Sequence, residues 1–249
     1  MQNLSKSLSG RIALVTGASR GIGAAVALAL AKHGAHVVAV ARTVGGLEEL
    51  DDKISALGGT ATLVPLDIKD SAGLQRLAPA LRERHGRLDI LVGNAGYLPV
   101  PAPLGHIEPK NWDDALAINV TANWRLIAAM DPLLKLSDAG RAVFITSGLA
   151  SMARAYFAAY ATSKAALDAL VRTYASEVAT SKVKVNLFSP GQTRTKMMAT
   201  AFPGVDPETL PLPETVAETI VPLCSPDCTE NGKLFDYRSG KFLSFQPPV

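Results

Sequence analysis

Thr16-Gly17-Ala18-Ser19-Arg20-Gly21-Ile22-Gly23 is the stretch on which the fold assignment turns. It follows a short apolar run at residues 11–15 (RIALV) and opens a helical pattern at residues 22–33 that stops at Gly34. A glycine-rich turn between a strand and a helix has a physical use. Gly17 permits the tight turn, Gly21 lets the backbone approach a pyrophosphate, and Gly23 lets the helix lie close on the sheet. Backbone N–H groups at the helix start then face an anion, where the helix dipole favours negative charge. Gly17, Ser19, Arg20, Gly21, Ile22 and Gly23 are thus the first candidate cofactor-binding residues. Glycine also serves any tight strand-to-helix connection, so the turn needs support from the rest of the chain.

Outward from this turn, short β-branched runs alternate with longer helical segments. Further strands are expected at residues 36–41, 60–65, 88–92, 141–146, 182–188 and 233–237, and helices at 47–57, 71–84, 111–129, 156–180 and 215–223. Together they predict an α/β fold: a single doubly wound Rossmann-type domain, residues 1–249, with a seven-stranded parallel sheet flanked by helices. Residues 193–214 carry turn formers and a short helical piece at 196–201, and read as a substrate lid.

Composition narrows the function classes. The 249 residues are 48% hydrophobic and 19% charged, enough apolar surface for a sizeable core. Twenty-five Lys and Arg against 22 Asp and Glu give a net charge of +3, with no dense basic run for nucleic acid. Cys224 and Cys228 are the only cysteines, too few for a disulfide scaffold and a poor zinc pair, so no metal is expected. Residues 1–11 contain no apolar leader core, and the longest apolar stretch, residues 24–31, is far short of the roughly 20 needed to span a bilayer. The expectation is a cytoplasmic protein with neither a membrane nor a nucleic-acid partner.

Several further motifs fall in one order along the chain. The turn has the spacing G-x-x-x-G-x-G; Gly93-Asn94-Ala95-Gly96 follows the fourth strand and Asn119 lies in Ile118-Asn119-Val120. Ser147 follows the fifth strand, Tyr160 precedes Lys164 by four, and Pro190-Gly191 follows the sixth strand. This set, spread over nearly the whole chain, resembles the short-chain dehydrogenase/reductase family. The resemblance implies hydride transfer between a nicotinamide cofactor and a small carbonyl or alcohol. It assigns Asn119, Ser147, Tyr160 and Lys164 to catalysis, with Asn119 holding a water that links Lys164 to solvent. It places Asp67, with Ile68 beside it, at the adenine, and Asn94, Ala95 and Gly96 along the adenine ribose. Tyr160 and Lys164 lie at the nicotinamide ribose, and Pro190, Gly191, Thr193 and Thr195 near the carboxamide or phosphates. It also implies a homodimer or homotetramer built through the two long helices. Two departures stand out: Gly93 replaces the first Asn of the family's Asn-Asn-Ala-Gly, and the last strand ends in Asp236-Tyr237-Arg238-Ser239-Gly240. The second puts a C-terminal subunit contact in doubt rather than the chemistry.

The second strand ends Ala39-Val40-Ala41-Arg42-Thr43. An acidic side chain there would bind both ribose hydroxyls of NAD and repel a 2′-phosphate. Ala41 offers no carboxylate, whereas Arg42 supplies a guanidinium suited to a phosphate and Arg20 flanks the other side. NADP(H) is therefore expected over NAD(H), with two merely solvated arginines as the competing view.

Tyr160 and Lys164, at i and i+4, project from one helix face. An ammonium about 5 Å from a phenol favours the phenolate by about 3 kcal/mol at an effective dielectric near 20, which moves a tyrosine from about 10 toward 8. Such a phenol exchanges a proton with a carbonyl oxygen near neutral pH. Tyr156 and Tyr174 lack a lysine at i+4, and Tyr156 reads as a pocket wall. Ser147, just past a strand end, is placed to polarise the substrate oxygen, or serves simply as a turn residue. Tyr97, Leu98, Pro99, Leu149, Met152, Phe157, Met197, Met198 and Phe202 make a mostly apolar substrate side with Arg154 the one nearby cation, unless they are plain core. The competing functions are a 3-oxoacyl-carrier-protein-type reductase, which needs a basic docking surface, and a non-catalytic NADP(H)-binding regulator, which the intact Ser-Tyr-Lys-Asn set disfavours.

Overall fold

In the computed structural model, which describes residues 7–152 and 154–245, strands and helices alternate from the start. The first half runs β1 (Ile12–Thr16), α1 (Gly21–Lys32), β2 (His36–Ala41), α2 (Val44–Ala56), β3 (Thr60–Pro65), α3 (Ser71–His85) and β4 (Ile90–Gly93). The second continues through α4 (Pro109–Leu116), α5 (Ala122–Leu134), β5 (Arg141–Ile145), α6 (Ala158–Glu177) and β6 (Lys184–Ser189). It closes with α7 (Lys196–Ala201), α8 (Pro213–Glu218), α9 (Val221–Cys224), β7 (Leu234–Asp236) and β8 (Lys241–Leu243). The strands form one sheet in the order β3-β2-β1-β4-β5-β6-β7-β8. Readings that rest on residues 1–6, 153 and 246–249 lie outside the described residues.

The sequence explains why helices cover both faces. β1, β2, β4 and β5 are almost wholly apolar and buried, as parallel strands between two helical layers must be. Alternate side chains supply separate cores. Ala13, Val15, Val37 and Ala39 pack on one face with α1, α2 and α8; Leu14, Val38 and Val40 pack on the other with α3, α5 and α6. The chain leaves β3 at one edge and re-enters at β4 on the far side of β1. The carboxyl ends of β1 and β4 therefore flank the crevice where ligands bind in open α/β sheets.

Three expectations are corrected. The sheet has eight strands rather than seven, because the chain turns back after β7 and β8 pairs with it antiparallel. Asp236-Tyr237-Arg238-Ser239-Gly240 makes this reversal: the Asp236 carboxylate accepts the Ser239 N–H, its carbonyl accepts the Gly240 N–H, and Gly240 has φ +65°. The helix expected over residues 111–129 is also interrupted. Residues Ala117–Thr121 form a π-turn between α4 and α5, and Asn119 sits on it. The helix expected over 156–180 begins only at Ala158, leaving Tyr156 outside in a left-handed conformation (φ 72°). Cys224 is buried at the end of α9, where burial pushes its thiol up.

Beside the sheet edge, the rings of His36 and His85 lie 4.9 Å apart, and the His36 nitrogens bond the hydroxyls of Thr60 and Thr62 at 2.7 and 2.9 Å. Burial holds both imidazoles below the usual histidine value of 6.5, helped by the charge of His85 and then Arg84 at His36 and by Arg84 at His85. The folded protein thus resists protonating them, whereas the unfolded chain takes up protons as pH falls through about 6.5. Their contribution to stability is fully present above that pH and is lost below it. Melting curves from pH 8 to 5 should show Tm of wild type falling more steeply than that of a His36→Asn/His85→Asn variant; parallel curves would contradict this.

Candidate active site

The glycine turn is pinned to the β1–β4 crevice by Thr16, a residue to which the sequence assigned no role, bonded to the expected Asn94 and Ala95. The Thr16 hydroxyl, fully buried, accepts the backbone N–H groups of Asn94 and Ala95, each at 3.0 Å. The Asn94 amide donates to the Thr16 carbonyl at 2.8 Å. Gly17 and Gly21 are left-handed (φ +66° and +57°), and a Cβ on Gly23 would lie 2.3 Å from both the Gly17 carbonyl oxygen and Asn94 Nδ2. α1 starts after Arg20 with no side-chain cap and no acidic residue in its first turn. By contrast, Asp70 caps α3 by accepting the Gly73 N–H at 3.0 Å. The uncapped, glycine-lined start of α1 leaves N–H groups available for an anion and space for it, which fits a pyrophosphate.

The other candidate nucleotide residues gather along the same edge. Arg42 and Asp67 follow β2 and β3, with Arg42 Nη1 3.8 Å from Asp67 Oδ2; Arg42 is exposed, Asp67 half-buried, and Ile68 beside them buried. Thr195 caps α7 by accepting the Met198 N–H, and its methyl stands 3.5 Å from where a Cβ on Gly21 would be. Thr193 is buried and donates to the Pro190 carbonyl at 3.3 Å, while Gly191 turns the chain with φ +65°. Of the two threonines, Thr195 faces the glycine turn. At Gly93 a Cβ would meet the Phe144 ring at 2.3 Å, so the neighbouring strand's aromatic side chain fills the space an asparagine would take.

Gly96 links the two halves of the site. A Cβ placed on it would be 3.4 Å from Asn119 Oδ1 and 3.7 Å from Lys164 Nζ. Lys164 is buried and donates to the Ile145 carbonyl at 2.7 Å, and its Nζ lies 5.7 Å from the centre of the Tyr160 ring. Tyr160 is buried as well. The expected acidification of its phenol is not what the structure gives. Burial pushes Tyr160 up to about 12, with the Ser147 side chain pulling the other way by hydrogen bonding. Burial likewise pushes Lys164 down to about 8, against the opposing charge of Asp168. Removal from water penalises phenolate and ammonium alike, and it is the largest influence on each. Tyr160 is therefore a protonated phenol at neutral pH.

Asn119 is fully buried, which rules out a merely exposed asparagine. Its Oδ1 accepts the Tyr97 N–H, and its Nδ2 donates to the Tyr97 carbonyl and the Ser163 hydroxyl, all at 2.8 Å. Ser163 in turn donates to the Tyr160 carbonyl at 2.8 Å. The amide is thus committed to protein groups, leaving only its main-chain carbonyl, which already accepts Asn123 Nδ2 at 2.9 Å, to hold a water.

Tyr160 opens onto a cavity of about 180 Å³ lined also by Pro99, Val100, Ile107, Tyr156 and Phe157. His106, Glu108 and Asn111 line it too, so the wall is more polar than expected. Leu98, Leu149, Phe157, Ala201 and Phe202 pack around the Tyr160 side chain. Arg154 lies over both Phe157 and Phe202, whose rings stack 5.1 Å apart. Met152 and Met197 are exposed, whereas Met198 is buried.

Residues 11–206 match the family profile described as short chain dehydrogenase, and the chain belongs to that family. It is 35% identical over 238 residues to the uncharacterized oxidoreductase YciK of Escherichia coli (strain K12), covering 94% of each chain. A short chain dehydrogenase of Shigella flexneri 2a, crystallised in complex with NADP, superposes with a TM-score of 0.91 at 35% identity, covering 94% of this chain and 99% of that one. The rhamnolipids biosynthesis 3-oxoacyl-[acyl-carrier-protein] reductase of Pseudomonas aeruginosa is 39% identical over 197 residues, 77% of this chain and 76% of the relative. The protein is accordingly a short-chain dehydrogenase/reductase enzyme with a Rossmann-type α/β fold. Among the described residues no helix is long and apolar enough to cross a membrane.

Proposed function

We propose that this oxidoreductase interconverts a small carbonyl compound and its alcohol with a nicotinamide cofactor, NADP(H) in preference to NAD(H). The observation that carries this reading is the burial of Tyr160 and Lys164 beside Gly96 and Ser147, on the same sheet edge as the uncapped glycine turn. The cofactor, when bound, supplies the hydride. Tyr160 holds the proton and passes it to the substrate oxygen, and Ser147 donates a hydrogen bond that steadies charge on that oxygen. Lys164 orients the nicotinamide ribose and contributes positive charge behind the phenol. Asn119 fixes α6 through Ser163 and the substrate loop through Tyr97.

Gly17, Ser19, Gly21, Ile22 and Gly23 hold the pyrophosphate, Arg20 flanks the 2′-phosphate opposite Arg42, Asp67 and Ile68 hold the adenine, and Asn94, Ala95 and Gly96 its ribose. Pro190, Gly191, Thr193 and Thr195 approach from the other side. The described chain works as one catalytic unit, with residues 193–214 as the lid over the cavity; the Phe157–Phe202 stack supports this by docking that segment beside Tyr160. Trp124, exposed on α5, supports a homodimer or homotetramer.

The test is NADPH oxidation across a panel of ketones, aldehydes and a carrier-linked 3-oxoacyl thioester, run in parallel with NADH. Turnover of one class of carbonyl is the expected result, and no turnover of any would sink the reading. Arg42→Ala is expected to raise KM for NADPH about tenfold and leave KM for NADH within about twofold, because a charge-assisted phosphate bond contributes on the order of 1.5 kcal/mol. Equal effects on both cofactors would remove Arg42 from the 2′-phosphate.

A further inference from the structure

Three consecutive residues fasten the end of β5 to α6. The Ile145 carbonyl accepts Lys164 Nζ, the Thr146 hydroxyl donates to Asp168 Oδ1, and the Ser147 side chain acts on the Tyr160 phenol. Tyr160, Lys164 and Asp168 are spaced four apart and so form one stripe along α6. The mechanism above uses the first two and leaves Asp168 without a role. Asp168 is a buried carboxylate, and such a charge persists only where it is paired. The charged groups acting on it are Lys164 and Arg172, both on α6; from β5 it receives the uncharged Thr146 hydroxyl.

We propose that Asp168 is a positioning residue that keeps the Lys164 side chain charged and, through Thr146, fixes the strand end presenting Ser147 to Tyr160. The proposal rests on the catalytic reading of Tyr160, Lys164 and Ser147. Lys164 donates to a carbonyl oxygen, and the Asp168 carboxylate, one helical turn further along α6, offsets its removal from water by its charge rather than by a hydrogen bond. Without the carboxylate, only the carbonyl remains, and the neutral amine gains. Burial pushes Asp168 itself up to about 6, so it is ionised where Lys164 needs it, above neutral pH.

The test is a titration of the cofactor-free full chain labelled with [ε-13C]lysine and followed by NMR, with Lys164→Arg identifying the resonance. It is paired with pH profiles of kcat and KM. Lys164 should titrate near pH 8 in wild type. In Asp168→Asn that titration and the alkaline limb of kcat should both move down by at least about one pH unit. KM should change little, and the kcat deficit should widen between pH 7 and 9. Asp168→Glu should restore both toward wild type. Thr146→Val keeps the charge but removes the bond that favours ionised Asp168, so it should move both in the same direction by less. It serves if Asp168→Asn does not fold. An unmoved Lys164 resonance, or a kcat loss equal at every pH, would overturn the proposal. If Lys164→Met and Tyr160→Phe retain activity, the catalytic reading fails instead, while the NMR titration still judges Asp168.

Discussion

Replacing Tyr160 with Phe should lower kcat by about a hundredfold to ten-thousandfold, the usual contribution of a positioned general acid. The ring keeps its packing against Leu149, Phe157 and Ala201, so the fold and melting temperature should be preserved. Only the hydroxyl is lost, and with it the proton that burial holds on the phenol. NADPH binding, followed by the change in protein fluorescence, should remain close to wild type. Because the proton moves in the transition state, kcat and kcat/KM should fall together. A variant within tenfold of wild type would show that another group, or water, delivers the proton.

The second large effect concerns the backbone. Gly23→Ala adds a methyl that would lie 2.3 Å from the Gly17 carbonyl oxygen, a backbone atom with little room to yield. Alanine improves helix propensity by about 1 kcal/mol, whereas overpacking costs typically 1–3 kcal/mol and sometimes more. The clash wins, because relieving it means lifting α1 from the turn or breaking the Asn94–Thr16 bond. A fall in Tm of several degrees is expected, at roughly 2–4 °C per kcal/mol for a chain of this size, with a loss of NADPH affinity larger than the stability change alone suggests. Gly45→Ala is the matched control. It lies on α2 with no atom within 4 Å of the added carbon, and should leave Tm unchanged or raise it. Equal Tm values for the two variants would mean that the turn has slack that the 2.3 Å approach does not allow.

What was legible in the sequence was what local spacing encodes. The βα alternation located every strand of the parallel sheet to within a few residues, and the short helix at 196–201 appears as expected. The i,i+4 spacing of Tyr160 and Lys164 put both on one helix face, and the structure brings them together with Ser147 and Asn119. The misses have physical causes. β8 is only three residues long and exposed on alternate positions, too short for a periodic signal. The π-turn adds one residue to a helical repeat without changing which amino acids compose it. Thr16, Ser163 and Asp168 matter through partners far away in the chain or on a neighbouring element, and no local pattern marks them. Spacing predicts an acidified Tyr160 because it encodes the pairing, whereas burial, which pushes the phenol up, is set by everything that packs around the ring. His106 and Glu108 reach the cavity from a loop whose path the sequence leaves open.

The hairpin made by β7 and β8 has a consequence for how molecules of this protein meet. It ends the sheet on that side with a three-residue strand carrying exposed Lys241, while Phe242 turns inward edge-on to Phe235. A strand arriving from another molecule would find only a three-residue edge there and would have to strip water from the Lys241 ammonium. Among the described residues that flank offers little to zipper-like growth, which favours contact through side-chain surfaces that recognise shape where naked backbone does not.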